Sequence, residues 1–306
     1  MNQILMLLAF FILPLVASGK SLGRLGAAND TLTPTRPGYL LMGGSTDVDA
    51  AVADWLAHAG GGDIVVLRAS GSTGYNPYFL SLGKAHSVET LLIDSKAAAL
   101  DPAMAATIEK AEAIFIAGGD QWNYVQFWTG TPVQSALQTA IDKGIPLGGT
   151  SAGLAVMGEF VFDARFNSVT SAEALAHPQA ENISITQAFL RIPVLQNILT
   201  DSHYSQRSRM GRHLVFLSRT KGLYGKKARG LGIDEKTAVV LDQEGKGKVY
   251  GSAQVYFLRA PKQKETLQTL YLAVSGSPTG TPIILSKAFR GAKTAYDAAP
   301  IQNQSL

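Results

Sequence analysis

The chain has 306 residues, no cysteine and a formal net charge of +4, from 27 Lys and Arg against 23 Asp and Glu. This length can bury a large core in one or two domains. The lack of cysteine excludes disulfides, thiolate metal sites and a lipid-anchored cysteine, and so mild a charge does not by itself indicate a nucleic-acid-binding protein.

The N-terminal segment predicts export. Residues 1–19 carry no charged side chain, and residues 4–16 form an apolar run that ends before Ser18 and Gly19. This pattern predicts a secretory signal peptide cleaved near those two residues, a periplasmic or secreted location, and no stable membrane association after cleavage. The run is shorter than the roughly 20 residues of a comfortable membrane span, but an uncleaved N-terminal anchor remains the alternative. Residues 20–37 are polar and predict a linker.

From residue 38 onward, short apolar runs alternate with segments of helical spacing. Strands are predicted at residues 38–42, 63–69, 87–93, 113–117 and around Leu147, and helices at residues 50–58, 75–82, 102–110 and 131–143. Continuous apolar strands separated by helices are typical of a parallel sheet that is covered on both faces. We therefore predict an α/β fold, a three-layer sandwich around a mostly parallel central sheet.

The pattern is looser after residue 150. It predicts a helix at residues 205–217, a Gly- and Lys-rich loop at 222–230, a hairpin made of residues 232–241 and 248–258, and a strand at 266–274. No second domain boundary is visible. Residues 38–290 are accordingly predicted to form a single catalytic domain, and residues 291–306 a mobile tail.

The sequence Gly149-Thr-Ser-Ala-Gly153 lies where a predicted strand turns into a helix. Gly-x-Ser-x-Gly at such a turn is the pattern of the nucleophile elbow, in which flanking glycines let the chain reverse while the serine hydroxyl stays exposed. Ser151 is the candidate nucleophile. The N–H groups of Ala152 and Gly119 are candidate oxyanion donors, since both follow strand ends. Glycine-rich turns without a catalytic role are the alternative.

An activated serine needs a base, and the base is usually oriented by an acid. His203 follows an apolar stretch where a strand would end, whereas His213 lies inside a predicted helix and is assigned to packing or the surface. Glu235 begins an apolar strand, which is a costly place for an unpaired carboxylate. Asp201 is the second candidate acid, and a salt bridge to Lys236 or a nearby arginine is the alternative for Glu235.

Positive charge is concentrated in one segment. No acidic residue lies between Asp201 and Asp234, while eight basic residues do: Arg207, Arg209, Arg212, Arg219, Lys221, Lys226, Lys227 and Arg229. This distribution favours an anionic partner. A phosphate backbone or a membrane surface is the competing interpretation.

Four spaced blocks together resemble the serine peptidases of the cyanophycinase and peptidase E group, peptidase family S51. The blocks are Gly118-Gly-Asp-Gln121, Gly149-Thr-Ser-Ala-Gly153, Asp201-Ser-His-Tyr204 with the arginines that follow it, and Gly232-Ile-Asp-Glu235. The resemblance spans about residues 38–258 and implies a class I glutamine amidotransferase-like fold. It implies Ser151 as nucleophile, His203 as base and Glu235 as its orienting acid, with no metal or organic cofactor. It also implies a set of substrate-binding residues: Gln121, Asp201, Arg207, Arg209 and Arg212.

The three arginines after the histidine resemble cyanophycinases more than peptidase E. Cyanophycin is a polyaspartate backbone with arginine on each β-carboxyl, and the resemblance implies release of β-aspartyl-arginine dipeptides. The cyanophycinase pattern has glutamine where this chain has Ser202, which leaves the serine chemistry standing but puts the particular substrate in question. At about 100° per residue, a regular helix from His203 would place Arg207 beside it and Arg212 on the far side, so Arg207 is the favoured substrate contact.

Several alternatives stay open. The chain could be an α-aspartyl dipeptidase, or an α/β-hydrolase esterase whose acid, such as Asp163 or Glu181, lies between Ser151 and its histidine. It could also be a non-catalytic protein of the same fold that captures an anionic polymer. The predicted partner is a peptide or a polyaspartate-arginine substrate. A nucleic-acid partner is not predicted, and a homodimer is left open.

Overall fold

The computed structural model describes residues 19–259 and 268–297. Within these two ranges the chain forms sixteen strands and ten α-helices. The strands are β1 Lys20–Gly26, β2 Tyr39–Met42, β3 Asp63–Arg68, β4 Ser87–Leu92, β5 Ala113–Ile116, β6 Leu147–Thr150, β7 Phe160–Phe162, β8 Ile185–Gln187, β9 Ile198–Asp201, β10 Arg229–Ile233, β11 Thr237–Leu241, β12 Lys246–Gly251, β13 Gln254–Arg259, β14 Gln268–Ser275, β15 Thr281–Ile284 and β16 Thr294–Asp297. The helices are α1 Asp49–Leu56, α2 Tyr75–Ser81, α3 Lys96–Leu100, α4 Pro102–Glu109, α5 Gln121–Trp128, α6 Pro132–Asp142, α7 Ala152–Ala155, α8 Ser171–Ala176, α9 Met210–Tyr224 and α10 Leu285–Arg290, with 3₁₀ turns at Ala57–Ala59 and Pro193–Leu195.

The first sheet has nine strands in the order β1-β4-β3-β5-β6-β2-β11-β12-β15. Five consecutive strands, β4, β3, β5, β6 and β2, are parallel to one another, while β1 and β11 pair antiparallel with the outer two. Alternate residues of one strand enter different cores: Ile114 and Ile116 pack in one apolar cluster, and Phe115 in the other. A strand buried on both faces must be apolar throughout, which explains the continuous apolar runs. The predicted α/β fold with helices on both sides of a parallel sheet is confirmed.

The second sheet has seven strands in the order β16-β14-β13-β10-β9-β7-β8. Within residues 229–259 the chain crosses between the sheets twice, and this corrects the predicted hairpin. Only β11 and β12 form it, while the adjoining strands β10 and β13 pair with each other in the second sheet. Lys236 (φ 54°) and Gly251 (φ 107°) have left-handed backbones at the crossings, and these turns end the ladders. Glu235 lies in the first crossing.

Three other predicted segments differ from the structure. Residues 20–26 are not linker but strand β1, which pairs antiparallel with β4 and is held by an ion pair of 3.0 Å between Arg24 and Asp63. Part of the predicted mobile tail, residues 294–297, is strand β16 on β14. The helix predicted from residue 205 begins at Met210 and continues to Tyr224, into the predicted loop. The predicted signal peptide (residues 1–18) and the end of the tail (298–306) lie outside the described residues.

None of the helices in residues 19–259 and 268–297 combines the length and the apolar character that crossing a membrane requires.

Candidate active site

Ser151 lies at the carboxyl end of β6, directly before α7, in a strained backbone conformation with φ 52° and ψ −112°. Its N–H donates to the carbonyl of Met42 at 3.1 Å. The turn is so tight that a Cβ on Gly153 would lie 2.0 Å from the carbonyl oxygen of Ile116, and one on Gly149 would lie 2.6 Å from the backbone of Gly153. The flanking glycines are therefore required by close backbone approach, as the elbow pattern predicts.

His203 meets Ser151 from the neighbouring sheet. It follows β9, its φ is 45°, and its N–H donates to the carbonyl of Gly43 at 2.8 Å. Its Nε2 atom lies 2.8 Å from Oγ of Ser151. Because β9 belongs to the second sheet and β6 to the first, the two residues come together where the sheets adjoin.

Glu235, in the crossing between β10 and β11, is the third member of the hydrogen-bonded series that starts with Ser151 and His203. Its Oε1 atom lies 2.6 Å from Nδ1 of His203, and its N–H donates to Oε1 of Gln206 at 2.9 Å. A carboxylate on Nδ1 holds the proton there and leaves Nε2 free to accept from the serine hydroxyl. The structure thus brings together all three residues that the sequence selected for the catalytic series.

The charges around His203 suit a base. Burial lowers the pKa of His203, the nearby charges of Arg207 and Arg209 lower it further, and the hydrogen bond that His203 donates to Glu235 opposes them. The hydrogen bond to His203 in turn lowers the pKa of Glu235, so its carboxyl is ionised at neutral pH. A neutral imidazole beside an ionised glutamate can accept a proton at neutral pH.

Residues 117–120, between β5 and α5, form the candidate oxyanion loop, which lies beside the serine. A Cβ on Gly118 would lie 3.5 Å from Cβ of Ser151, which places the turn after β5 next to the nucleophile. The buried hydroxyl of Tyr124 holds this turn, because it lies 2.8 Å from the carbonyl oxygen of Ala117 and 3.1 Å from that of Gly118. Gly119 follows in the loop and Ala152 opens α7, so neither N–H is needed by a strand ladder or an intrahelical bond. Both are available as donors to an oxyanion.

Two of the predicted substrate-binding residues border the catalytic series. Gln121 is the first residue of α5, directly after the oxyanion loop, and its Nε2 donates to the carbonyl of Phe162 at 3.3 Å. Arg207 is exposed, and its charge acts on both His203 and Glu235. These positions are compatible with contact to a bound substrate.

Asp201 and Arg212 do not border the site, which corrects the expectation that they hold substrate. Only 4% of Asp201 and 2% of Arg212 are exposed. Arg212 binds both carboxylate oxygens of Asp201, with Nε at 2.9 Å and Nη2 at 2.7 Å, and Arg209 Nη1 adds a bond of 3.1 Å. Burial alone would raise the pKa of Asp201, but the two arginines outweigh it and lower the pKa to about 2. With their polar atoms occupied, Asp201 and Arg212 form an internal ion pair beneath the turn that carries His203.

Arg209 and Ser202 belong to the same network. Arg209 Nη1 donates to the carbonyl of Ser202 at 2.9 Å and lies 3.4 Å from its hydroxyl, and Ser202 is 4% exposed. Burial lowers the pKa of Arg209 to about 10. The serine that stands where cyanophycinases have glutamine therefore lies under the site, against an arginine side chain.

The remaining candidates are occupied elsewhere. His213 is fully buried between the hydroxyl of Tyr204 (3.1 Å) and the carbonyl of Leu199 (3.2 Å), and burial lowers its pKa to about 4. Asp163, the acid of the esterase alternative, accepts from the hydroxyls of Ser184 and Thr186. Among residues 19–259 and 268–297, no group of three or more acidic or histidine side chains is arranged to hold a metal ion.

Sequence reasoning missed two residues that shape the site, Gly44 and Tyr124. Gly44 carries a recognisable signal, because it is the second glycine of a pair at the end of β2. Tyr124 carries no sequence signal beyond its place one turn after Gln121. Its hydroxyl binds the carbonyls of Ala117 and Gly118 only because the folded chain brings the turn after β5 next to it.

A serine, a histidine and a glutamate in hydrogen-bonded series on a nucleophile elbow define a serine-hydrolase type of site on an α/β fold. The sequence model of Peptidase family S51 matches residues 40–248, more than half of the chain. The chain belongs to peptidase family S51.

Its relatives include cyanophycinases. The chain is 29% identical to the cyanophycinase of Synechococcus elongatus over 182 residues, which cover 59% of this chain and 52% of that protein. It is also 29% identical to the cyanophycinase of Geminocystis herdmanii over 149 residues, or 48% of this chain and 49% of that protein. The chain thus spans about half the length of the curated relatives it matches. A peptidase from an acI-B1 Actinobacterium has a similar crystal structure, with a TM-score of 0.58 and 16% identity over 82% of this chain and 98% of that one, which supports the fold alone.

Proposed function

We propose that this chain is an exported serine-type peptidase that hydrolyses aspartyl or β-aspartyl amides, with a polyaspartate-arginine polymer as its substrate and β-aspartyl-arginine dipeptides as products. The observation that carries this proposal is the series Ser151 Oγ, His203 Nε2 and Nδ1, and Glu235 Oε1, with distances of 2.8 Å and 2.6 Å. The substrate is supported by the cyanophycinase relatives, by the three-arginine block and by the exposed guanidinium of Arg207.

The geometry implies a two-step acyl transfer. His203 Nε2 removes the proton of Ser151 as Oγ attacks the amide carbon, and the carbonyl oxygen becomes an oxyanion facing the N–H groups of Gly119 and Ala152. The imidazolium, stabilised by Glu235, then gives its proton to the leaving amine as the C–N bond breaks. Water, deprotonated by the same imidazole, releases the acyl group from Ser151 and restores the free enzyme.

Replacing Ser151 tests the nucleophile. Ser151→Ala should lower kcat on cyanophycin by about 10⁴-fold or more, since loss of the attacking oxygen removes the acyl route. The matched control is Ser81→Ala, at an exposed serine at the end of α2, which should keep full activity. Unaltered turnover in Ser151→Ala would contradict the assignment, and product mass spectrometry with cyanophycin, isoaspartyl dipeptides and α-aspartyl dipeptides distinguishes the bonds cleaved.

Replacing Glu235 tests the orienting acid. Glu235→Gln should lower kcat by about 10² to 10⁴-fold because an amide favours the wrong imidazole tautomer. Glu181→Gln, at an exposed position, is the matched control and also tests the esterase alternative. If Glu181→Gln lost activity and Glu235→Gln kept it, the α/β-hydrolase pairing would replace ours.

A non-catalytic polymer-binding protein of the same fold would keep the basic segment but not an activated serine. A fluorophosphonate probe should label Ser151 in the native chain and not in Ser151→Ala. Failure to label the native chain would favour the binding protein.

Export is supported by the charge-free residues 1–19. Expression in a bacterial host, followed by periplasmic extraction and intact-mass measurement, should give a product that begins near Ser18 or Gly19. A full-length mass in the membrane fraction would instead indicate an uncleaved anchor.

A further inference from the structure

The loop after β7 presents a guanidinium that lies over two aromatic rings. Cζ of Arg165 lies 5.5 Å from the ring centroid of Trp122 and 5.2 Å from that of Phe166. Within residues 19–259 and 268–297 the guanidinium of Arg165 makes no hydrogen bond or ion pair. Aromatic faces bind a guanidinium through its plane and leave the N–H donors at its edge unused.

This loop is held in place at both ends. Asp163, which is 4% exposed, accepts from the backbone N–H of Arg165 at 3.0 Å and from Thr186 Oγ1 at 2.7 Å. At the other end, Arg212 donates to Ser168 Oγ at 2.9 Å and to the carbonyl of Val169 at 3.0 Å. Arg165 is therefore presented by an anchored loop.

Phe166 is exposed to solvent rather than buried in a core. It is 40% exposed, and it is the one aromatic residue among the exposed large hydrophobic residues of the described ranges. Its ring faces the Arg165 guanidinium and contributes little to a core. A phenylalanine in this position has a physical use if it orients the arginine.

The Trp122 ring that Arg165 contacts belongs to the helix that follows the loop beside Ser151. Trp122 directly follows Gln121 and comes four residues after Gly118, whose Cα is beside Ser151. Four extended residues span at most about 14 Å, so the Trp122 backbone is within reach of a substrate bound at Ser151. The hydrogen bond from Gln121 to Phe162 joins the start of α5 to the end of β7, and so links the loop that carries Arg165 to the start of α5.

We propose that Arg165, held by Trp122 and Phe166, is a subsite for a carboxylate on the acyl part of the substrate, a proposal that rests on the proposed peptidase function. A planar guanidinium binds a carboxylate through two parallel N–H···O bonds. An arginine attached through its α-amino group to an aspartate side chain keeps its own α-carboxylate, so a polyaspartate-arginine chain carries such a group beside every backbone amide. Arg165 thereby selects substrates with acidic branches.

The test uses two synthetic ligands of three β-aspartyl-arginine units, one with free branch carboxylates and one with the same carboxylates amidated. Binding is measured by calorimetry to Ser151→Ala and to Ser151→Ala with Arg165→Gln. We expect Arg165→Gln to weaken binding of the free acid about tenfold, as for loss of a charged hydrogen bond, and to leave binding of the amide unchanged. Arg191→Gln, at another exposed arginine, should change neither.

Arg165→Lys separates charge from shape. Because lysine keeps the charge but not the planar pair of donors, it should recover only part of the lost affinity. Equal affinities with and without Arg165, or an equal loss for the acid and the amide, would overturn the subsite.

Turnover of the free acid by the chain with Ser151 intact keeps the two proposals apart. Arg165-dependent binding without turnover would overturn the peptidase function and leave the subsite standing. Turnover with binding that does not depend on Arg165 would overturn the subsite and leave the peptidase function standing. The absence of both binding and turnover would overturn both proposals.

Discussion

Gly44 lies against the imidazole of His203: a Cβ on Gly44 would stand 2.5 Å from Cε1 and 2.6 Å from Nε2. Both distances are shorter than contact allows, and Nε2 is the atom that faces Ser151. The absence of a side chain on Gly44 is therefore part of the geometry of the catalytic series.

Gly44→Ala should lower kcat by about 10²-fold, because moving a catalytic group by about 1 Å can cost that much. The matched control is Gly61→Ala, whose φ of +83° resembles the +97° of Gly44 but whose Cβ would meet nothing within 4 Å. Both variants should lose about 1 kcal/mol of stability from the left-handed backbone, and only Gly44→Ala should lose activity. Equal kcat values in the two variants would show that the imidazole tolerates the methyl group.

Arg207 should control the acid limit of activity. The pKa of His203 lies below its ordinary value of 6.5, because of burial first and the charges of Arg207 and Arg209 next. Activity needs the neutral imidazole, so kcat/KM should fall at acid pH with a midpoint below 6.5. Arg207→Gln removes a positive charge that disfavours protonation, and the midpoint of this fall should move to higher pH.

The pH dependence of kcat/KM reports the free enzyme, so weaker substrate binding in Arg207→Gln would lower the curve without moving its midpoint. Arg191→Gln should leave the midpoint in place. A shift to lower pH in Arg207→Gln would have the wrong sign for a charge acting on His203.

Replacing Arg212 should lower the free energy of unfolding, whereas replacing Arg207 should leave it nearly unchanged. Arg212→Leu leaves the buried carboxylate of Asp201 without its main partner, and losing one member of a buried pair costs about 3 to 5 kcal/mol. Arg207 is exposed, so Arg207→Gln should change the free energy of unfolding by less than about 0.5 kcal/mol. Urea titration measures both, and a stable, inactive Arg212→Leu would restore Arg212 to the substrate-binding set.

Acid should weaken the same ion pair. The pKa of Asp201 is about 2 in the folded chain against an ordinary value of 3.8, so its contribution is complete above about pH 4 and is lost as the pH falls toward 2. Asp201→Asn should make the free energy of unfolding depend less steeply on pH between about pH 4 and 2. An unchanged pH dependence in Asp201→Asn would show that other carboxyl groups cause the loss of stability in acid.

Tyr124 should act on the oxyanion loop without touching substrate. Tyr124→Phe removes the hydroxyl that holds the carbonyls of Ala117 and Gly118, which should cost about 1 kcal/mol of stability and lower kcat about tenfold at similar KM. Tyr78→Phe, whose hydroxyl binds Asp49 on α1, is the control and should keep kcat. Equal kcat in both would mean that the loop keeps its place without Tyr124.

The parallel strands and the elbow were predictable because their signals are local. A strand covered on both faces is apolar at every position, as in β2 and β5, and the tight turn at Ser151 demands glycine on both sides. The second sheet was not predictable in the same way, because only residues 234–236 separate β10 from β11. Their different pairing partners, which the local sequence does not specify, place them in different sheets.

By itself the sequence determined the parallel core, the position of the elbow and, through spaced blocks of residues, the set Ser151, His203 and Glu235. Only the tertiary structure decided that Asp201 and Arg212 form an internal pair and that the Arg165 guanidinium lies over the rings of Trp122 and Phe166. The physical reason is that burial of a charged side chain depends on which distant elements pack over it. Local spacing carries no record of that packing, whereas a turn or an apolar run is decided by the residues within it.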